Sequence, residues 1–145
     1  MTWWQRLADS RPPDFIIGTP EKPCLLRWWV IPRNPIFNIY LHKFLRSDDD
    51  RALHDHPWFN VSIILDGWYV EITPKGRFLR QQGHRVWRSP WAAHRVQLPA
   101  IGTAWTLFIT GPRLRAWGFR CPQGWRHWKE FTSPADKGQI GRGCE

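Results

Sequence analysis

The chain has 145 residues, of which 21 are Lys or Arg and 12 are Asp or Glu, and its mean hydropathy is -0.50. This length accommodates one domain but not two well-buried cores. No segment approaches the roughly 20 consecutive apolar residues that span a bilayer, and the first residues lack the apolar core of a secretory signal peptide. The sequence therefore argues against a membrane-spanning protein and predicts one cytoplasmic domain.

The cysteine content fits that location. Cys24, Cys121 and Cys144 are odd in number, and no two of them have C-x-x-C spacing. Such a set is typical of a reducing compartment. We therefore expect neither a disulfide scaffold nor a four-cysteine zinc site.

The predicted elements begin with a short helix over residues 2–9, where Trp3, Trp4 and Leu7 recur at helical spacing. Six of the 13 prolines follow before residue 36, which predicts an extended arm. Short apolar segments separated by Gly or Pro come next, and Asp66-Gly67 predicts a hairpin turn. Strands are predicted at residues 36–45, 59–65, 68–73, 77–80, 84–88, 93–98, 104–110, 114–120 and 127–131.

The predicted fold class is all-β. Many short strands at regular spacing, with almost no helical periodicity between them, are typical of an antiparallel sandwich or barrel. We expect the barrel over residues 36–132, preceded by the helix and proline-rich arm of residues 1–35. The tail, residues 133–145, contains four Gly or Pro and only one large apolar residue, Ile140, so we expect it to be mobile.

The charge balance favours an anionic ligand. The formal net charge is +9, and 16 of the 21 basic residues are Arg, whose planar guanidinium binds carboxylate and phosphate in a bidentate manner. A small anionic substrate is therefore the expected partner. Arg also stacks on indole rings, and the chain has 12 Trp. Because the arginines are dispersed, nucleic-acid binding is the less favoured alternative.

The segment most informative about chemistry is His54-Asp55-His56. Side chains two residues apart in an extended strand lie on the same face, so two imidazoles are expected at chelating distance. Asn60 shares their parity and offers an amide oxygen, and His94 follows a proline turn. Neutral imidazole binds divalent transition metals. These residues form a candidate metal site.

The spacing of these residues resembles the first motif of the cupin superfamily, G-x5-H-x-H-x3,4-E-x6-G. Asn60 stands where that motif has glutamate, Gly67 is the final glycine, and the leading glycine is absent. The second motif, G-x5-P-x-G-x2-H-x3-N, matches more loosely, with Gly83, Pro90 and His94 in corresponding places. The resemblance covers residues 36–110.

The resemblance implies a small jelly-roll barrel that holds one divalent metal through His54, His56 and His94, with Asn60 at the edge of the coordination sphere. Thiol dioxygenases of the same superfamily bind their metal through three histidines alone. Fe(II) is the metal we expect, with Zn, Ni or Mn as alternatives. Cupins often pair through exposed strands, so the resemblance also allows a homodimer.

Several other residues are candidates for roles beside the metal. Tyr40 and His42 share strand parity and are candidates for acid–base catalysis, although a supporting position in the core competes with this role for His42. Arg88 and Arg95 are candidates for binding the anionic group of a substrate. Glu71 is expected at an outward or rim position, in a cross-strand ion pair with an arginine, and an inward carboxylate that replaces the motif glutamate is the less favoured alternative.

The predicted function is that of a metal-binding cupin, and the reaction class we expect for an enzyme is an Fe(II)-dependent oxygenase acting on a small anionic substrate. Two alternatives stay open. In a metal-independent sugar-type isomerase or epimerase, a His and a Tyr would move protons. In a non-catalytic basic binding module, Arg and Trp would hold nucleic acid or a protein partner.

Overall fold

The computed structural model describes residues 1–47 and 52–145. The predicted N-terminal helix is present as α1, Trp3–Ser10, and begins with a capping box formed by Thr2 and Gln5. The elements that follow in the described ranges are β1 (Phe15–Gly18), β2 (Pro23–Trp29), β3 (Asn38–Phe44), β4 (Leu53–His54), β5 (Asn60–Asp66), β6 (Trp68–Thr73), β7 (Gly76–Gln81), β8 (Arg85–Arg88), β9 (Arg95–Gln97), β10 (Ala104–Thr110), β11 (Gly118–Cys121), β12 (Gly124–His127) and α2 (Trp128–Phe131).

The larger sheet has the strand order β1-β2-β3-β10-β5-β8, and every neighbouring pair is antiparallel. Two of these strands, β1 and β2, come from the proline-rich arm, and β2 pairs with β3. The boundary expected after residue 35 therefore falls within one sheet. Pro23 is the first residue of β2, a position where a strand tolerates the missing N–H.

The opposite side of the domain consists of the sheets β12-β11-β4 and β7-β6-β9. An isolated antiparallel bridge between His54 and His94 joins these two sheets. Each residue donates its backbone N–H to the carbonyl oxygen of the other at 2.9 Å. Two layers of antiparallel strands thus enclose one interior, which confirms the all-β prediction.

The interior has an apolar part and a polar part. The apolar part contains Ile64, Tyr69, Val86, Val96, Leu98 and Ala104, with Phe44 packed against them. The change of polarity can be followed along β5, where Asn60, Ser62 and Ile64 alternate with less buried residues. The polar side chains therefore gather at the end of the interior where β5 begins.

A second apolar cluster lies on the outer face of the larger sheet, beneath α1. Trp28, Leu41 and Trp105 are buried there, and Trp4 and Leu7 of the helix pack on them. Covering the outer face explains why the helix carries large apolar residues at helical spacing. Neither described helix is long and apolar enough to cross a membrane.

The C-terminal segment corrects two predictions. Cys121 and Cys144 form a disulfide, and the amide groups of Gly141 and Gly143 donate hydrogen bonds to the carbonyl oxygen of Phe131. The tail is thus attached to the domain rather than extended from it. The disulfide was not predicted because the pairing of the two cysteines depends on the path of the chain after α2. That path has no local sequence signature. Disulfides are typical of oxidising compartments, and the cytoplasmic location predicted from the N-terminus stays a prediction.

We predict that Cys144→Ser lowers the free energy of unfolding by about 3 kcal/mol. The disulfide joins residues 23 positions apart, and a closed loop of that size restricts the unfolded chain by roughly this amount. Denaturant unfolding of the oxidised parent and the variant measures the difference. Reduction of the parent serves as the control and should produce the same loss; an unchanged midpoint after reduction would contradict the prediction.

Candidate metal centre

The three predicted metal ligands converge in the polar part of the interior. The bridge between His54 and His94 places their side chains on one face, and His56 has the same parity as His54. The ring centroids are 5.2 Å apart for His54 and His56, 4.8 Å for His54 and His94, and 5.1 Å for His56 and His94. One ligand nitrogen from each imidazole lies within 4.8 Å of the other two.

The protonation state of these rings suits a metal. Burial, followed by the charges of His94 and His54, lowers the pKa of His56 well below its usual value. Burial and the charge of Arg88 likewise lower the pKa of His94. Nδ1 of His56 is a buried nitrogen without a hydrogen-bond partner among the described residues. Three converging imidazoles, two of them held neutral, fit a divalent transition metal.

Glu71 supports one of these ligands. Its side chain is 2% exposed, and Oε2 lies 2.5 Å from Nδ1 of His94. An ionised carboxylate accepts at this position, so Nδ1 carries the proton and Nε2 of His94 is left as the ligand atom. Burial raises the pKa of Glu71, but hydrogen bonds from His94 and Arg88 outweigh it and bring the pKa below its usual value. Glu71 therefore fixes both the tautomer and the orientation of His94.

The ion pair expected for Glu71 is present, whereas its expected outward position is wrong. Oε1 accepts a hydrogen bond from Nε of Arg80 at 2.9 Å, and Oε2 accepts one from Nε of Arg88 at 2.6 Å. Glu71 shares the inward face of β6 with the core residue Tyr69. Two arginines on other strands offset the cost of burying the carboxylate, and the sequence does not reveal that they meet it.

Arg88 binds protein groups at the centre of this polar network. The side chain is buried, and Nη1 donates to Oδ1 of Asn60 at 3.2 Å and to Oγ of Ser62 at 2.8 Å. Its Nε donates to Glu71, and Nη2 is buried without a hydrogen-bond partner in the part of the chain that the structure describes. Nε and Nη1 of Arg88 thus hold neighbouring strands together, and the substrate-binding role of Arg88 stays a prediction.

Asn60 occupies the position of the motif glutamate but contacts Arg88. Its Oδ1 accepts from that guanidinium, and its Nδ2 donates to the carbonyl oxygen of Trp58 at 3.4 Å. An oxygen atom that already accepts from a cation is a poor metal ligand. In this structure Asn60 helps to orient Arg88, and the ligand role predicted for Asn60 stays a prediction.

We predict that Asn60→Ala keeps one metal per chain while lowering the free energy of unfolding by about 1–3 kcal/mol. The stability loss follows from leaving a buried donor of Arg88 without its acceptor. Metal analysis by mass spectrometry and denaturant unfolding measure the two quantities. A variant that folds normally but loses the metal would identify Asn60 as a ligand after all.

Tyr40 and His42, the candidates for acid–base catalysis, lie inside the barrel on β3. Both are buried, and Nε2 of His42 accepts a hydrogen bond from Nε of Arg27 at 2.9 Å. Burial and the charge of Arg27 lower the pKa of His42 well below its usual value. The guanidinium carbon of Arg27 lies 4.7 Å from the ring centre of Tyr40. His42 is therefore a neutral acceptor, in keeping with a supporting position.

Arg95, the other arginine considered for substrate binding, lies on the outer side of β9. Its neighbour Val96 belongs to the apolar core, and successive side chains of a strand point to opposite faces. Arg95 therefore does not face the three histidines.

Asp55, between two of the histidines, has a structural role that its neighbours in the sequence do not indicate. It accepts hydrogen bonds from the backbone N–H of Gly118 at 2.8 Å and from Nε1 of Trp125 at 3.0 Å. Nη1 of Arg115 forms an ion pair with it at 2.9 Å. Asp55 thus ties the β11–β12 hairpin to the segment that carries the histidines.

Arg27 carries no prediction from the sequence, and the inward position of Glu71 is the less favoured of the two alternatives considered for it. Arg27 interrupts an otherwise apolar strand, and Glu71 shares parity with Tyr69. Both are charged residues in strands that form the core. A charge within such a strand is the sequence signal that could have identified them. Neither signal names a partner, because each contact joins residues from different strands.

Comparisons with known proteins support the fold. No protein-family model and no curated protein sequence matches this chain. Among solved structures, the cupin-2 domain protein Rru_A2000 from Rhodospirillum rubrum matches with a TM-score of 0.61 and 12% identity over 76% of each chain. TT1209 from Thermus thermophilus matches with a TM-score of 0.57 and 23% identity over 78% of this chain and 97% of its own.

A third solved structure is that of the DMSP lyase DddQ from Ruegeria pomeroyi DSS-3. It matches with a TM-score of 0.58 and 15% identity, over 74% of this chain and 57% of its own. Identities this low establish a shared fold and not a shared activity. The chain has the cupin fold.

Proposed function

We propose that this cupin-fold protein holds one divalent transition metal, Fe(II), through His54, His56 and His94, and acts as an oxygenase on a small anionic substrate. The observation that carries the proposal is the convergence of three ligand nitrogens within 4.8 Å of one another. The carboxylate of Glu71 on the far side of His94 supports it, because such partners are a regular feature of metal-binding histidines.

The charge of the site supports an anionic substrate. Three neutral imidazoles leave the charge of a divalent ion uncompensated, and the nearby Glu71 carboxylate is already paired with Arg88 and Arg80. When bound, Fe(II) with three protein ligands supplies open coordination positions for substrate and oxygen. The protein holds His94 in one tautomer and surrounds the histidines with the rings of Trp58, Phe108 and Phe119.

The test begins with anaerobic reconstitution of the protein with Fe(II), followed by metal analysis and addition of nitric oxide as a stand-in for oxygen. We expect near-stoichiometric iron and the electron paramagnetic resonance signal of an Fe(II) centre with an open position. Failure to bind iron, zinc, nickel or manganese would overturn the metal site and favour the isomerase or the binding module. Bound iron without a nitric oxide signal would overturn the oxygenase.

A further inference from the structure

Arg27 is a half-buried cation inside the barrel that has no carboxylate partner in the described part of the chain. Its Nε donates to Nε2 of His42, and its guanidinium lies over the rings of Tyr40 and Phe15. Nη1 and Nη2 form no hydrogen bond with any described residue. Burial lowers the pKa of Arg27 to about 10, so the side chain stays positively charged at neutral pH.

The other arginines that reach the buried network differ from Arg27 in this respect. Arg88 and Arg80 both contact the carboxylate of Glu71, and Arg115 pairs with Asp55. Burying a charge without a counter-charge is costly, whereas the half-buried Arg27 keeps the end of its guanidinium accessible to a ligand. The end of the Arg27 guanidinium, with two free nitrogens in a fixed fork, matches the two oxygens of a carboxylate.

The position of Arg27 connects it to the three histidines. In the larger sheet, Arg27 lies opposite His42, and the two side chains meet on the inner face through their hydrogen bond. The ring of Phe108 lies 5.1 Å from the ring of His42 and 5.9 Å from the ring of His56. The ring of Phe108 is therefore close both to His42, which accepts the hydrogen bond from Arg27, and to His56 of the three histidines.

We infer that Arg27 binds the carboxylate group of an organic monoanion, while the remainder of that substrate extends past Phe108 toward His54, His56 and His94. This assignment rests on the proposed function and specifies its substrate class. A single cation beside the neutral His42 compensates one negative charge, which favours a monocarboxylate over a phosphate dianion. The rings of Tyr40 and Phe108 favour an organic body.

The experiment compares the Zn-loaded and the metal-free parent with Arg27→Gln and Arg27→Lys. Calorimetric titrations use benzoate, its neutral analogue benzamide, and inorganic phosphate as probes. We expect the parent to bind benzoate at least tenfold more tightly than benzamide, and Arg27→Gln to lose at least tenfold in benzoate affinity, because a charge-assisted bidentate contact is removed. Arg27→Lys keeps the charge but not the planar guanidinium. Its benzoate affinity should therefore lie between those of the parent and Arg27→Gln.

Arg113→Gln provides the matched control, because Arg113 is exposed and its loss changes the net charge equally. It should bind benzoate as the parent does. In the 15N-labelled parent, the Nε–H resonance of Arg27 should shift when benzoate is added, which identifies the contact directly. Metal content is measured separately and should be unchanged in Arg27→Gln.

Three results would overturn the assignment. The first is equal binding of benzoate and benzamide by the parent, or no binding of either. The second is tighter binding of phosphate than of benzoate. The third is unchanged benzoate affinity in Arg27→Gln, or loss of metal from that variant. Metal content and carboxylate affinity are separate measurements. The metal site can therefore be disproved while the metal-free protein still binds benzoate through Arg27, and the Arg27 contact can be disproved while the protein still binds metal.

Discussion

Replacing His56 with alanine is expected to lower metal affinity by more than about 100-fold, since loss of a ligand should exceed the 10–100-fold cost of losing a supporting partner. His94→Ala should have the same effect, because both residues supply one of three converging nitrogens. The affinity is measured by competition with a chelator of known affinity at constant pH, since metal competes with protons for imidazole.

His84→Ala is the matched control for these variants. The ring of His84 lies outside the metal cluster and accepts a hydrogen bond from the backbone N–H of Gln81 at 3.1 Å. Its removal should leave metal affinity within experimental error of the parent. Equal losses in His84→Ala and His56→Ala would indicate non-specific binding to histidines and contradict the proposed centre.

Glu71→Gln is expected to lower both stability and metal affinity. The substitution keeps the shape of the side chain but leaves the buried Arg88 without its counter-charge, at a cost of about 3–5 kcal/mol in the free energy of unfolding. It also replaces the carboxylate that orients His94, which should weaken metal binding by about 10–100-fold. Denaturant unfolding of the metal-free protein and chelator competition measure the two effects separately.

Glu21→Gln removes the same charge at an exposed position and serves as the control. We expect it to change neither quantity appreciably. If Glu71→Gln loses stability but binds metal as tightly as the parent, the carboxylate serves the fold alone and does not position His94. If it keeps both, the contacts of Glu71 with Arg88 and His94 are not energetically important.

The relocation of the carboxylate distinguishes this site from the cupin motif it resembles. Asn60 stands at the glutamate position and accepts from Arg88, whereas Glu71 on β6 supplies a carboxylate that contacts His94 from behind. The negative charge is thereby moved out of the proposed coordination sphere. A metal held by neutral ligands retains more of its charge for an anionic substrate.

Alternation and spacing along the chain were sufficient to predict an antiparallel sandwich or barrel and the pairing of two histidines. Side chains two residues apart in a strand share a face, so His54 and His56 could be paired from the sequence, and the resemblance to the cupin motifs added His94. The helix at the N-terminus was readable for the same kind of reason, because Trp4 and Leu7 repeat at helical spacing and pack on the outer cluster.

The tertiary structure alone decided which polar groups meet in the interior and how the tail is attached. Glu71 and His94 are 23 residues apart, Arg27 and His42 are 15 apart, and Cys121 and Cys144 are 23 apart. Local periodicity tells which side of a strand a residue occupies, but not which residue of another strand stands opposite. That choice depends on strand order and register, which are set by the packing of the whole domain.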